Sequence, residues 1–183
     1  KLKIINKINE NENINNIFFN ILKKNIISIF GPDIAAQKNV NLVIQRPFDP
    51  NYVTLHKDSP PNSSYEIVIW MPLVNCKNTN AFKFLPMKKS LRLEKMFLQR
   101  VSEKTCINYA EKNSVAMEAN FGEFIIFWTR VYHYAGLNKE KITRWSVNLR
   151  YKNLFSPYGK KGYLDYFEPK SYSILTKMSL DLE

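Results

Sequence analysis

His56 and Asp58 stand two positions apart in His-Lys-Asp, and His133 follows far downstream. On an extended strand, residues at i and i+2 point to the same side. His-x-Asp can then offer one nitrogen and one oxygen to a single metal ion. Two imidazoles and a carboxylate can occupy one face of an octahedral Fe(II), leaving three positions open for chemistry. The chain has 2 histidines in all, so there is little capacity for imidazole chemistry elsewhere. Taken singly, each residue has a plainer role. Asp58 precedes Ser59-Pro60-Pro61 and suits a turn cap. His56 suits a hydrogen-bonded surface or core position, and His133, between Tyr132 and Tyr134, suits packing among aromatics. The weight comes from their occurring in order, within strand-like segments.

Arg144 and Ser146 form a second i, i+2 pair. A guanidinium beside a hydroxyl is a good receptor for a carboxylate, because Arg binds it through two parallel donors. The plain alternative is a surface arginine beside a half-buried serine. Asn148 and Arg150 continue the same face, alternating with Trp145, Val147 and Leu149. That alternation predicts a strand with one polar side turned to a cavity.

Several elements must position these groups. Ile14, Ile17, Phe18, Ile21, Leu22 and Ile26 recur at helical spacing, which predicts an amphipathic helix over 12–29, ended by Gly31-Pro32. Strands are expected over 40–48, 65–73, 81–85, 115–119, 123–128 and 143–151, with 52–58 extended. Residues 87–113 are charged and helix-like in places, and are expected as an insertion over the core. No repeat, low-complexity tract or domain boundary breaks the chain, so one domain over 1–183 is expected, with a core over about 40–153. Many strands behind a leading helix predict a mainly β fold, a sandwich or open barrel, whose mouth gathers ligands from several strand ends.

With 183 residues, 45% hydrophobic and 14% aromatic, the chain can bury a real core. The N-terminal stretch has no basic start with an apolar core and no small-residue cleavage site, so no signal peptide is expected. The chain begins with Lys rather than Met, so preceding residues are expected. The apolar runs at 67–73 and 124–128 are too short to span a bilayer. Two cysteines, Cys76 and Cys106, make no disulfide framework, and a cytoplasmic setting is expected. The net charge of +11 invites a nucleic-acid reading. Lys is scattered, however, and abundant Lys, Asn and Ile fit an AT-rich genome. Attraction for anionic small molecules lies between these readings.

One succession of motifs resembles a known family. It runs from His56-x-Asp58 through Trp70 to Asn80-Ala81-Phe82-Lys83-Phe84-Leu85-Pro86, then Gly122-Glu123-Phe124-Ile125-Ile126-Phe127, His133 and Arg144. Over about 40–153 it is similar to the Fe(II)/2-oxoglutarate-dependent dioxygenases of the phytanoyl-CoA dioxygenase superfamily. The family's Pro-Gly-Ser-His segment reads here as Pro86-Met87-Lys88-Lys89-Ser90. The resemblance implies a double-stranded β-helix (a cupin-like jelly roll) with an N-terminal α-helix packed outside. It implies Fe(II) on His56, Asp58 and His133, with 2-oxoglutarate as cosubstrate and O2 as oxidant. Arg144 is the implied anchor of the distal carboxylate, helped by Ser146. Trp70 is expected in the cosubstrate pocket or, equally, in the sheet core. Gln45 is expected at a cosubstrate or substrate contact.

Halogenating relatives lack the metal carboxylate. Asp58 is present, so the resemblance implies hydroxylation or a related oxidation. The substrate expected by analogy is a small molecule, a sugar or nucleotide-linked sugar, as for small bacterial relatives in polysaccharide or secondary-metabolite biosynthesis. Two other classes remain open. Arg144 and Arg150 match the two-arginine spacing of AlkB-like nucleic-acid demethylases, although no Asn-x-Tyr motif precedes His56 and no base-binding lid is evident. A non-catalytic metal- or sugar-binding jelly roll, or a cupin-like epimerase, needs neither Arg144 nor Ser146 at this spacing.

Overall fold

A computed structural model describes residues 2–11 and 13–180. Helices α1 (Leu2–Asn9) and α2 (Ile14–Phe30) lead the chain, followed by short strands β1 (Ile34–Gln37) and β2 (Asn41–Gln45). Strands β3 (Glu66–Pro72) and β4 (Phe82–Phe84) precede helices α3 (Met87–Leu98) and α4 (Glu103–Asn113). Then come β5 (Val115–Met117), β6 (Ile125–Trp128), β7 (His133–Tyr134), β8 (Arg144–Asn153), β9 (Phe167–Ser171) and helix α5 (Ile174–Ser179). Residue 12, the first of the expected helix, lies outside the described residues.

The described residues form two sheets, one of 6 strands and one of 3. In the larger, β8 is the central strand. Its first half pairs antiparallel with β2 (Gln45 opposite Arg144, Asn41 opposite Asn148), and its second half with β1 (Ala36 opposite Tyr151). The break between β1 and β2 falls at residues 38–40, so the two act as one interrupted partner of β8, with β9 pairing on the outer side of β1. On the other side β3 pairs along most of β8, and β6 pairs with β3. The smaller sheet is β5-β4-β7. The architecture is mainly antiparallel β with several helices.

The alternation in β8 has the consequence that its spacing predicts. Val147, Leu149 and Tyr151 are buried in a cluster with Phe19, Leu22 and Ile26 of α2. Arg144, Ser146, Asn148 and Arg150 occupy the opposite face. Leu22 and Ile26 are wholly buried, so this helix–sheet contact carries much of the stabilising apolar area. Helix α2 ends at Gly31, whose φ of 80° favours glycine and whose N–H donates to Ile27 O at 2.8 Å.

Some expectations need correction. The larger sheet extends beyond 40–153 at both ends, because β1 and β9 belong to it. The Ile-Ala-Ala-Gln of β1 has low strand propensity and is extended because β8 and β9 flank it. The segment 87–113, expected to be charged and helix-like in places, forms the two helices α3 and α4. Leu93, Cys106 and Ala110 give them a small core of their own, with Leu85 and Tyr132 of the sheet side. Pro86 directly precedes α3, so the departure from the family's loop sequence is the start of a helix. Both cysteines are free and buried, and no described helix is long and apolar enough to cross a membrane.

Candidate metal centre and carboxylate pocket

The segment carrying His-x-Asp forms no regular strand, yet its backbone is tied at three points to the segment leading into and out of β7. Val53 O accepts from Ala135 N–H at 2.9 Å. His56 exchanges both backbone bonds with His133, at 3.0 and 2.8 Å. Asp58 N–H donates to Thr129 O at 3.0 Å. This antiparallel pairing sets the two imidazoles side by side, with ring centroids 4.2 Å apart and planes tilted by 58°. Lys57, between the two candidate ligands, points away and pairs with Glu94 of α3, as alternation on an extended chain requires.

One donor atom from each of His56, Asp58 and His133 lies within 4.8 Å of the others. His56 Nε2 is 3.7 Å from Asp58 Oδ1. Neighbouring ligand atoms on an ion with bonds near 2.1 Å lie about 3 Å apart, a distance within reach of small side-chain rotations. Both imidazoles are oriented in the same way. Nδ1 of His56 is 2.7 Å from Thr54 O, and Nδ1 of His133 is 2.9 Å from Val131 O. A carbonyl can only accept, so Nδ1 carries the proton and Nε2 keeps its lone pair for a metal. The donor set therefore fits a divalent transition metal. Among the described residues it is the one cluster of three His, Cys, Asp or Glu side chains that could hold an ion.

Electrostatics favour the metal-ready forms. His133 is 5% exposed. Burial, with His56 alongside, pushes its imidazolium pKa down to about 4 despite Asp58, so the ring is neutral at pH 7. Burial alone would raise the Asp58 carboxyl. The Arg150 charge and hydrogen bond, with the two histidines, outweigh burial and hold Asp58 below the usual carboxylate value.

Beside the triad lies a cavity of about 260 Å³, lined on the β8 side by Arg144, Asn148 and Arg150 and on others by Trp70, Phe82 and Phe127. Arg144 is 2% exposed, and its one hydrogen bond runs from Nη1 to the Asn80 carbonyl at 3.2 Å. It enters no ion pair among the described residues. Its Nε, and the Oγ of Ser146 two residues on, are buried without a partner among the described residues. A buried guanidinium is costly unless an anion meets it. The pair is thus suited to receive a carboxylate. Burial lowers the Arg144 pKa, yet from so high a starting value that it stays charged.

Trp70 combines its two expected positions, lining the cavity while stacking on Phe82 at 5.7 Å. Gln45 lies opposite Arg144 across the β2–β8 ladder. Its amide donates to Gly136 O at 2.6 Å, and its Oε1 is buried without a partner. His133 also packs among aromatics, 5.2 Å from Phe82 and 5.0 Å from Phe127. Asp58 does accept from Asn62 N–H through its backbone oxygen, but its carboxylate is turned to the metal site. A larger cavity, about 500 Å³, lies against α4 and includes Tyr52, Thr54, Lys83 and Tyr134. None of the triad lines it, so the candidate site is the smaller one.

Sequence reading left Arg150 without a partner. In the structure its Nη2 donates to Asp58 Oδ2 at 2.8 Å, while Nη1 reaches Gln37 Oε1 at 3.2 Å and Tyr166 Oη at 3.0 Å. Alternation along β8 signalled the face but not the partners, because Gln37 and Tyr166 come from parts of the chain with no motif.

No protein-family model matches the sequence, and no curated protein matches it. Solved structures do share the fold. The non-heme monooxygenase ThoJ in its apo form superposes with a TM-score of 0.62 at 18% identity, over 84% of this chain and 58% of that one. Its nickel complex gives 0.56 at 17% identity, over 88% and 65%. The non-heme α-ketoglutarate-dependent carbocyclase SnoK from nogalamycin biosynthesis gives 0.57 at 14% identity, over 73% and 56%. The epimerase SnoN, in complex with Fe3+, α-ketoglutarate and nogalamycin RO, gives 0.53 at 14% identity, over 73% and 56%. The chain thus spans less than two thirds of the length of these neighbours. At such identities the likeness concerns the fold.

Proposed function

We propose that this chain is an Fe(II)- and 2-oxoglutarate-dependent oxygenase of the phytanoyl-CoA dioxygenase type, built on a double-stranded β-helix with α2 packed outside it. One observation carries the reading. The buried Arg144 guanidinium, with no ion-pair partner among the described residues and with Ser146 two positions on, shares a cavity wall with a His-Asp-His constellation whose Nε2 atoms are free. A metal-binding jelly roll without a cosubstrate has no need of that cation. The fold shared with SnoK and SnoN, both described with α-ketoglutarate, supports the reading.

In this reading His56 Nε2, Asp58 Oδ1 and His133 Nε2 hold the metal. When bound, iron would supply the means for O2, the oxidant, to oxidise a C–H bond with 2-oxoglutarate as the co-reductant, chemistry that side chains lack. The chain's residues supply placement. Arg144 and Ser146 bind and orient the cosubstrate's far carboxylate, while Trp70, Phe82 and Phe127 keep water from the cavity wall. Because Asp58 fills a coordination position, hydroxylation or a related oxidation is the expected outcome. The primary substrate is proposed as a small molecule, a sugar or nucleotide-linked sugar, with the +11 net charge favouring an anionic one. A cytoplasmic setting suits two free thiols.

The test is anaerobic addition of Fe(II) and 2-oxoglutarate to the purified protein. A weak visible charge-transfer band, saturating at one equivalent of each and lost in His133→Ala, is the expected result. Tight Fe(II) binding with no band at any 2-oxoglutarate concentration would leave a non-oxygenase metal protein.

A further inference from the structure

We infer that Arg150 is a positioning residue that clamps Asp58 for the metal, using one carboxylate oxygen and leaving the other free. The inference rests on the proposed metal centre and adds what fixes it. Asp58 presents two oxygens. Oδ2 accepts from Arg150 Nη2 at 2.8 Å, and Oδ1 faces His56 Nε2 at 3.7 Å. With Oδ2 engaged by Arg150, Oδ1 is the oxygen that Asp58 would offer a metal.

The clamp is held from behind. Arg150 Nη1 donates to Gln37 Oε1 at 3.2 Å and to Tyr166 Oη at 3.0 Å, and Tyr166 Oη–H donates to the same Gln37 oxygen at 2.8 Å. These contacts close a ring of three side chains from β1, β8 and the loop before β9. Backbone bonds fix two of the carriers. Ala36, beside Gln37, is paired with Tyr151, beside Arg150, and Lys38 N–H donates to Tyr166 O at 2.9 Å. The guanidinium therefore cannot swing away from Asp58 without breaking contacts on two other elements. It lies deep in the site, with its side chain 8% exposed, where a charged hydrogen bond is little screened. The same engagement separates the two arginines of β8. Among the described residues no carboxylate lies against Arg144, whereas Arg150 already holds one.

A cation on a metal-ligating carboxylate lowers the negative charge that reaches the metal, yet removes the entropy of an unrestrained side chain. Outer contacts of this kind are worth about ten- to hundredfold in metal affinity. Arg150→Met should weaken binding by that factor. Arg150→Lys should recover part of it, because an ammonium can reach Asp58 but cannot hold Gln37 and Tyr166 in the same plane. Tyr166→Phe keeps the ion pair and loses the two hydrogen bonds of Tyr166 Oη behind it, so a loss of roughly threefold to tenfold is expected.

Co(II) titration of the metal-free protein tests this, because the visible d–d spectrum reports coordination as well as affinity. The expected result is weaker binding in the order Tyr166→Phe, Arg150→Lys, Arg150→Met, with an altered band shape in the Arg150 variants. A merely structural arginine would lower the melting temperature and leave the Co(II) affinity and spectrum of the folded fraction unchanged. If Arg150→Met does not fold, the other two variants still decide. Wild-type affinity and spectrum in both overturn the clamp. Wild-type protein that binds no Co(II), or binds it equally after His133→Ala, overturns the metal centre itself.

Discussion

Replacing Arg144 with Met should make the ligand-free protein more stable and 2-oxoglutarate binding far weaker. The guanidinium is buried at 2% exposure, holds one hydrogen bond at 3.2 Å, and has its Nε unpartnered. Losing the bond to the Asn80 carbonyl costs about 1 kcal/mol. Removing a buried charge with no counter-ion returns several kcal/mol, less what water penetration already relieves. The net gain should be about 1–2 kcal/mol, a rise of roughly 3–6 °C in melting temperature for a chain of this size. Cosubstrate binding moves the other way. A two-pronged guanidinium–carboxylate contact contains two charged hydrogen bonds of about 1.5–3 kcal/mol each, so its loss should exceed a hundredfold in Kd. Arg144→Lys, which keeps charge but not the fork, should lose about ten- to hundredfold. Thermal denaturation with and without 2-oxoglutarate and Ni(II) measures both effects together, since a ligand that binds the native state raises its melting temperature. The variant should start higher and gain little. An Arg144→Met protein that melts below wild type and binds 2-oxoglutarate at wild-type concentrations would refute the assignment of the pocket.

His56→Ala and His133→Ala should each abolish stoichiometric Fe(II) binding, read by metal analysis after desalting, with circular dichroism near wild type; unchanged iron in both removes the triad. Asp58→Gly should end oxidation-coupled succinate formation, and normal turnover by that variant rules the carboxylate out as a ligand. Acid stability should depend on His133, whose imidazolium pKa is held near 4 against an ordinary 6.5. Above pH 6.5 the ring is neutral in both states. As pH falls toward 4 the unfolded chain takes up a proton that the folded one resists, so up to about 3 kcal/mol of stability is lost across that window. Urea midpoints of the metal-free protein at pH 7 and pH 5 should diverge in wild type and less so in His133→Gln, and an equal change in both contradicts the argument. Leu22→Ala, at a wholly buried α2 position against Val147 and Leu149, should lower unfolding free energy by about 2–5 kcal/mol, and a loss under 1 kcal/mol would mean that α2 is loosely docked.

The sequence by itself determined what local periodicity encodes. The i, i+2 spacing of His56 and Asp58 put two donors on one side of an extended segment. Alternation along 143–151 separated Arg144, Ser146, Asn148 and Arg150 from the apolar residues that meet α2. Helical spacing marked α2, and Gly31-Pro32 marked its end. Each of these is a property of a few neighbouring residues, and each survives in the structure. Pairing between distant segments decided the rest. The backbone exchange between His56 and His133 brings the third donor to the other two, and nothing near either histidine announces it. Two arginines of like chemistry stand six positions apart on one face, yet Arg150 meets Asp58 and Arg144 meets no carboxylate among the described residues. That choice depends on which strand end lies over which loop. β1 has almost no strand signal of its own and is extended because β8 and β9 offer it hydrogen bonds. Tyr166 and Gln37 belong to no motif, and they reach Arg150 only after the chain has folded. Faces are set by side-chain periodicity within one segment. Partners are set by register and loop closure between segments, which a linear pattern does not carry.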